Sequence, residues 1–159
     1  MRKLWTLALV AVLSLVASSA NAQSAFAKND LVGSFTIGFG DGFAQRIAVD
    51  YGVADGWIDG NASLGIGASL NNTIGWRGGD VLSLIANCSF HYQFVDNLDT
   101  YVVVGFGGGV AMAHKYADGI FDWTSSIGAR YYLTNNFALN VEAGHTNSSY
   151  INLGISYKF

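Results

Sequence analysis

The 159-residue sequence has no proline, one cysteine and few charges. Each shortage excludes something. Proline removes a ladder donor, so its absence suits a chain made mostly of paired strands. One cysteine, Cys88, cannot form an internal disulfide, so no disulfide framework holds the fold. Charged residues make up 12% of the chain, against about 25% in ordinary soluble proteins. After residue 22 no apolar run approaches the roughly 20 residues of a spanning helix, which excludes a helical membrane protein. His91 and His114 lack metal-ligand spacing with each other or with carboxylates, so neither a metal nor a cofactor is expected. Low charge without a spanning helix leaves strands in lipid.

What is present begins with an export signal. Arg2 and Lys3 precede the apolar run Leu4 to Val16, and Ala20-Asn21-Ala22 supplies the small residues of a cleavage site. The cut is expected after Ala22, followed by a short segment, 23–30, and one domain, 31–159. Cleavage leaves 159 − 22 = 137 residues with a formal net charge of 6 − 11 = −5, and no basic patch for nucleic acid.

Period-two alternation then recurs eight times. The segments are 31–40, 43–53, 57–70, 81–94, 100–112, 120–132, 137–145 and 149–159. Asp41-Gly42, Ala54-Asp55-Gly56, Asp96 to Asp99, Thr134-Asn135-Asn136 and Thr146 to Ser148 read as turns. Longer connections are expected at Asn71 to Asp80 and Ala113 to Gly119. In the fifth segment Val102, Val104, Phe106 and Val110 are assigned outward. Gly105 to Gly109 there lacks the strand-to-helix context and following Lys of a phosphate loop, and reads as strand glycines.

Eight antiparallel segments leave two raw edges unless the sheet closes, and an open edge has no partners in lipid. The expected fold is therefore all-β: a single closed eight-stranded antiparallel up-and-down transmembrane barrel. Leu, Ile, Val, Phe and Tyr dominate one face. The other mixes Gly, Ser, Asn and Thr with Arg46, Asp50, Asp59, Arg130, Glu142 and Lys158. That set suits the packed interior of a small barrel, so these six charges are read as a lumen network, with Arg130 and Glu142 paired across the Thr134 turn. Two groups of strand-end aromatics, Tyr51, Trp57, Tyr131 and Tyr157 against Phe39, Phe43, Phe121 and Trp123, match the two membrane boundaries.

The signal, the eight segments and the ending Gly154-Ile155-Ser156-Tyr157-Lys158-Phe159 resemble small outer-membrane β-barrel proteins of Gram-negative bacteria, of the OmpA or opacity-protein type. The resemblance implies that Phe159, with Tyr157, Ile155, Leu153 and Ile151 before it, is the ending recognised by the outer-membrane barrel assembly machinery. It implies export past periplasmic chaperones to a membrane containing lipopolysaccharide, and a monomer with both termini in the periplasm. Turns near Ala54, Asp96 and Thr134 would then face inward. The connections carrying Trp76-Arg77 and His114-Lys115 would face outward and carry any surface interaction.

One catalytic candidate stands beside this non-enzymatic reading. Outer-membrane lipid A deacylases are also eight-stranded and look similar, with His-X-Ser-Asn near the chain end. Here His145 is followed by Asn147 where the serine would stand, and Ser148 is one place late, which alternation turns to the opposite face. A narrow pore is the other alternative.

Overall fold

The computed structural model of the protein describes residues 25–76, 79–113, 116–146 and 149–159. Its strands are β1 (Leu31–Gly40), β2 (Phe43–Trp57), β3 (Ala62–Trp76), β4 (Gly79–Val95), β5 (Leu98–Ala113), β6 (Tyr116–Tyr132), β7 (Phe137–Thr146) and β8 (Ser149–Lys158). Each pairs antiparallel with its neighbour in sequence, and β1 pairs with β8 from Val32↔Lys158 to Gly40↔Ser149. The ring is closed. No helix among the described residues is long and apolar enough to cross a membrane, so any crossing is made by strands.

The register also fixes the slant of the strands. A path of ladder partners runs from Ser149 through Thr146, Thr124, Gly105, Asn87, Gly67, Asp50 and Val32 to Lys158. It returns to β8 displaced by 158 − 149 = 9 residues. Closure with such a stagger requires tilted strands. One end of the barrel, the terminal mouth, carries Phe159 and the three turns at 58–61, 96–97 and 133–136. The other end carries the four hairpin connections.

Side chains alternate across this wall with apolar groups out and polar groups in. On β5, Phe106 is 69% exposed and Val103 only 4%, which settles the face of the glycine-rich strand. Phe35, Ile47, Leu84, Ile127 and Leu153 also point out, whereas Ser34, Thr36, Ser69, Thr124 and Asn152 are buried inside. Among described residues the buried apolar cluster contains only Ala25, Tyr132 and Ala138. Water could not stabilise such an arrangement, because its greasy surface faces outward. Hydrocarbon can.

Inward glycines set how closely neighbouring strands approach. A Cβ on Gly107 would strike the Leu84 carbonyl, and one on Gly154 would strike the Phe35 carbonyl across the closing seam.

Several expected boundaries move. Ala54-Asp55-Gly56 is not a turn but an irregular stretch of β2, where the register shifts twice and Gly56 takes a φ of +81°. The turn falls at Ile58, Asp59 and Gly60, with φ of 47°, 60° and 81°. Asp59 is thus an exposed turn residue and not part of the lumen. Asn71 to Asp80 is not a long connection: Asn71 and Thr73 continue the inward face of β3, and their polarity reflects a polar lumen. The stretch 113–119 likewise belongs largely to β5 and β6. Asp99 lies on β5, not in a turn. Trp76 ends β3 opposite Gly79. Residues 1–22, with the expected signal and cut, lie outside the described residues, as do Arg77, His114 and Lys115.

If the β1–β8 seam closes the sheet, Gly154→Val should force these backbones apart. The expected outcome is a lower unfolding midpoint in detergent and loss of the folded, heat-modifiable band on unboiled gels. Wild-type behaviour in both would contradict the seam as drawn.

Candidate functional site

The lumen is held by charge. From β2 come Arg46 and Asp50, from β4 Ser89 and His91, from β5 Asp99 and Tyr101, from β6 Arg130 and from β7 Glu142. All are buried. Period-two alternation on five strands is what brings them to one axis. Arg46 donates to Glu142 at 2.5 Å, and the Tyr101 hydroxyl donates to the other Glu142 oxygen at 2.9 Å. The Arg130 guanidinium lies over the Tyr101 ring, 4.4 Å from its centroid, and reaches Asp99 at 3.3 Å and Asp50 at 3.5 Å. His91 places Nδ1 2.8 Å from Asp99 and Nε2 3.0 Å from Asp50. An imidazolium can donate to both carboxylates; a neutral ring can donate to one. With His91 charged, three cations face three carboxylates. Pairing and hydrogen bonding offset the desolvation that isolated buried charges would suffer.

The expected Arg130–Glu142 pair is not formed. Glu142 stands opposite Gly128 and Arg130 opposite Asn140 on the β6–β7 ladder. Arg130 instead pairs with Asp99, its ladder partner on β5, and reaches Asp50 across the lumen, while Glu142 reaches Arg46 and Tyr101 on other strands. Lys158 is buried at the terminal mouth, where Nζ lies 3.3 Å from Asp30 and 3.4 Å from the Ala25 carbonyl. Asp99, at the centre of the cluster, was hidden by its place in an apparent turn. Its signal was available: extending the alternation of Tyr101 and Val103 back by two residues turns it inward.

Ser89, His91 and Asp99 have the spacing of a nucleophile, base and carboxylate: Ser89 Oγ lies 2.9 Å from Nε2. Their surroundings suit another role. Ser89 donates to Asp50 at 2.8 Å, and Asp50 also holds the ring nitrogen that would have to accept its proton. The Phe26 ring stacks on His91 at 3.9 Å. The adjoining cavity, between Ser34, Arg46, Ser89 and Glu142, is about 20 Å³, room for one water but not a substrate. His145 is distant in role as well. Its ring packs 4.3 Å from the Trp123 ring centroid, while Glu142 points into the lumen. Asn147 and Ser148 lie outside the described residues.

The segment before β1 is also part of the lumen. Residues 25–30 fold into the terminal mouth, with Ala25 and Phe26 buried. The Ala25 amide donates to Gln93 on β4, and Ser63 on β3 donates to the Phe26 carbonyl. The Asn29 amide donates to the Gly52 carbonyl on β2, and Gly52 returns a bond to Asp30. With Lys158 on β8, the segment joins four strands across one end of the lumen.

A closed, staggered ring with a hydrocarbon-matching outside and a paired-charge inside defines a transmembrane β-barrel. The sequence model of the outer membrane protein beta-barrel domain matches residues 8–159. The chain belongs to that family, as an eight-stranded barrel of the outer membrane. Two solved structures share the fold. A de novo designed transmembrane β-barrel is 21% identical with a TM-score of 0.57, the match covering 84% of this chain and 98% of that one. The N-terminal β-barrel domain of Pseudomonas aeruginosa OprF is 15% identical with a TM-score of 0.52, covering 84% and 100%. No curated protein matches the chain.

Arg46→Leu leaves Glu142 buried with only Tyr101. It should cost about 3–5 kcal/mol in denaturant unfolding from micelles, and Arg46→Leu/Glu142→Leu should recover much of that loss. Additive losses in the double variant would refute direct pairing. Phe26→Ala should cost about 3 kcal/mol by emptying the mouth and speed amide exchange around His91. Unaltered exchange there would mean the segment is not seated.

Proposed function

We propose that the protein is a non-enzymatic outer-membrane barrel with a structural and surface-interaction role, and that the hairpin end of β5 and β6 carries the interaction. One observation supports this most. On β7 and β8 the ladder path touches the strand ends, at Thr146 and Ser149, whereas β6 continues beyond Thr124 for the eight residues Trp123 to Tyr116. At about 3.3 Å per residue that is roughly 26 Å of strand. Those residues pair with β5 alone among the described residues; β7 pairing begins at Thr124. Unpaired backbone is too costly for hydrocarbon, so this edge belongs in water. Tyr116 and Phe121, both more than 70% exposed, stand along it. An aromatic strand edge in water is a surface for another extended chain.

The remaining assignments are part of the same proposal. The signal is cleaved near Ala22, the terminal strand from Ile151 to Phe159 is read by the assembly machinery, and the termini lie in the periplasm. The chain works as a monomer among lipopolysaccharide and phospholipid. The lumen serves stability and not passage, since Arg46, His91, Tyr101 and Arg130 fill its axis. The deacylase alternative gains no support from the packing of His145 against Trp123.

Cells displaying the protein should adhere to immobilised serum proteins more than cells displaying a variant lacking residues 112–119. Both should give a heat-modifiable band of equal strength. Equal adhesion at equal display would overturn the assignment of the interaction to this hairpin.

A further inference from the structure

The outward wall is not uniformly convex. One rung of the ladder runs Tyr92–Thr100–Ala129–Val141 across β4, β5, β6 and β7. Its two middle members are small and its outer members large. The result is a groove of about 500 Å³ whose floor holds Thr100 and Ala129, with a ridge of Phe90, Tyr92 and Phe94 on one side and Val141 on the other. That size falls in the range of small-molecule clefts. Other outward positions of the wall carry Ile66, Leu70, Leu139 and Ile155 instead. The floor has one hydroxyl, and it is already satisfied: Thr100 Oγ1 donates to the Tyr92 carbonyl at 2.5 Å. The floor therefore leaves no hydroxyl without a partner.

We infer that this groove is a specific site for one acyl chain of a phospholipid with an amine-bearing headgroup. Three observations converge on that occupant. First, the groove opens on the lipid-facing side, and its ridge ends at Phe94, two residues before the Asp96–Asn97 turn. A chain lying in it places its headgroup at that turn. Second, two barrels are both convex, so a second copy would meet the ridge before it reached the floor. A flexible hydrocarbon chain can follow the groove. Third, the turns that flank it, Asp96–Asn97 and Leu133 to Asn136, carry one carboxylate and no cation. An anionic headgroup would be repelled there, while an ammonium can pair with Asp96 or donate to the Asn side-chain carbonyls. The charge pattern therefore selects an ethanolamine phospholipid over phosphatidylglycerol, cardiolipin or lipopolysaccharide. The site lies at the opposite end of the barrel from the β5–β6 edge and does not depend on what that edge binds.

The test is native mass spectrometry of the folded full-length barrel. It is released from micelles containing equal amounts of phosphatidylethanolamine and phosphatidylglycerol with identical acyl chains. The expected wild-type result is one retained lipid per chain, at least fivefold in favour of phosphatidylethanolamine. Ala129→Phe fills the floor and should abolish retention. Val49→Phe adds the same ring to the outward face of β2 and should leave retention unchanged, which separates loss of the groove from damage to the fold. Asp96→Asn should keep retention but reduce the preference to below twofold. Equal retention by Ala129→Phe and wild type, equal loss in Ala129→Phe and Val49→Phe, a wild type without headgroup preference, or a retained second copy in place of lipid would each overturn the inference.

Discussion

The hydrocarbon interior of a bilayer offers no water to a backbone amide, and every other feature here answers to that constraint. Each strand must have two partners at membrane depth. The β1–β8 seam supplies the last pair, and the nine-residue stagger that closes the ring obliges the strands to tilt. The same constraint explains why the free edge of β6 begins where β7 ends. An unpaired strand is admissible only where water is available, so the end of β7 at Thr146 marks how far the strands need to be protected.

Closure turns the usual relation of core and surface inside out. The outer wall needs no polar group and has few. The interior of eight strands is too narrow for a water-filled channel and too wide to leave empty, so side chains fill it. Charged side chains do this when they arrive as matched sets. Arg46 with Glu142, and Arg130 and His91 between Asp50 and Asp99, meet that condition with Tyr101 as the shared neighbour. These groups come from five different strands, so the network ties together strands that are far apart in the ring. Removing one member strands its partner in low dielectric, which makes the set cooperative.

Strand number, outward faces and closure were legible in the sequence because all three follow from period two and from the low charge. The face of β5 was legible for the same reason, despite its glycines. Boundaries were less so where a turn signal and alternation compete. At Ala54-Asp55-Gly56 the glycine makes a bulge while the ladder continues, and at Asn71 and Thr73 polar residues that resemble a loop are simply lumen-facing. Asp99 was lost to the same confusion. Of the two partners of Arg130, Asp99 faces it directly on the β5–β6 ladder and went with the misplaced turn, whereas Asp50 on β2 was not legible at all. Neighbouring strands are adjacent in sequence, but contacts across a lumen depend on tilt and stagger, and those are set by the whole ring. The seating of residues 25–30 depends on the same closed geometry, since no four strands offer Gly52, Ser63, Gln93 and Lys158 to one peptide until the mouth exists.

These restrictions leave little surface on which a particular function could be written. The lumen is committed to charge pairing, and the terminal mouth is occupied by Phe26 and its neighbours. Most of the wall must remain bulky and apolar to match hydrocarbon. Two places escape these demands. The β5–β6 hairpin continues past the end of β7, and a strand edge without that neighbour is not held to the membrane's demands on length and composition. The Thr100–Ala129 floor departs from the bulk of the wall without introducing an unsatisfied polar atom, so the membrane tolerates it. A feature that closure does not require and lipid does not forbid is where selection for binding can act, and in this barrel the two such features lie at opposite ends.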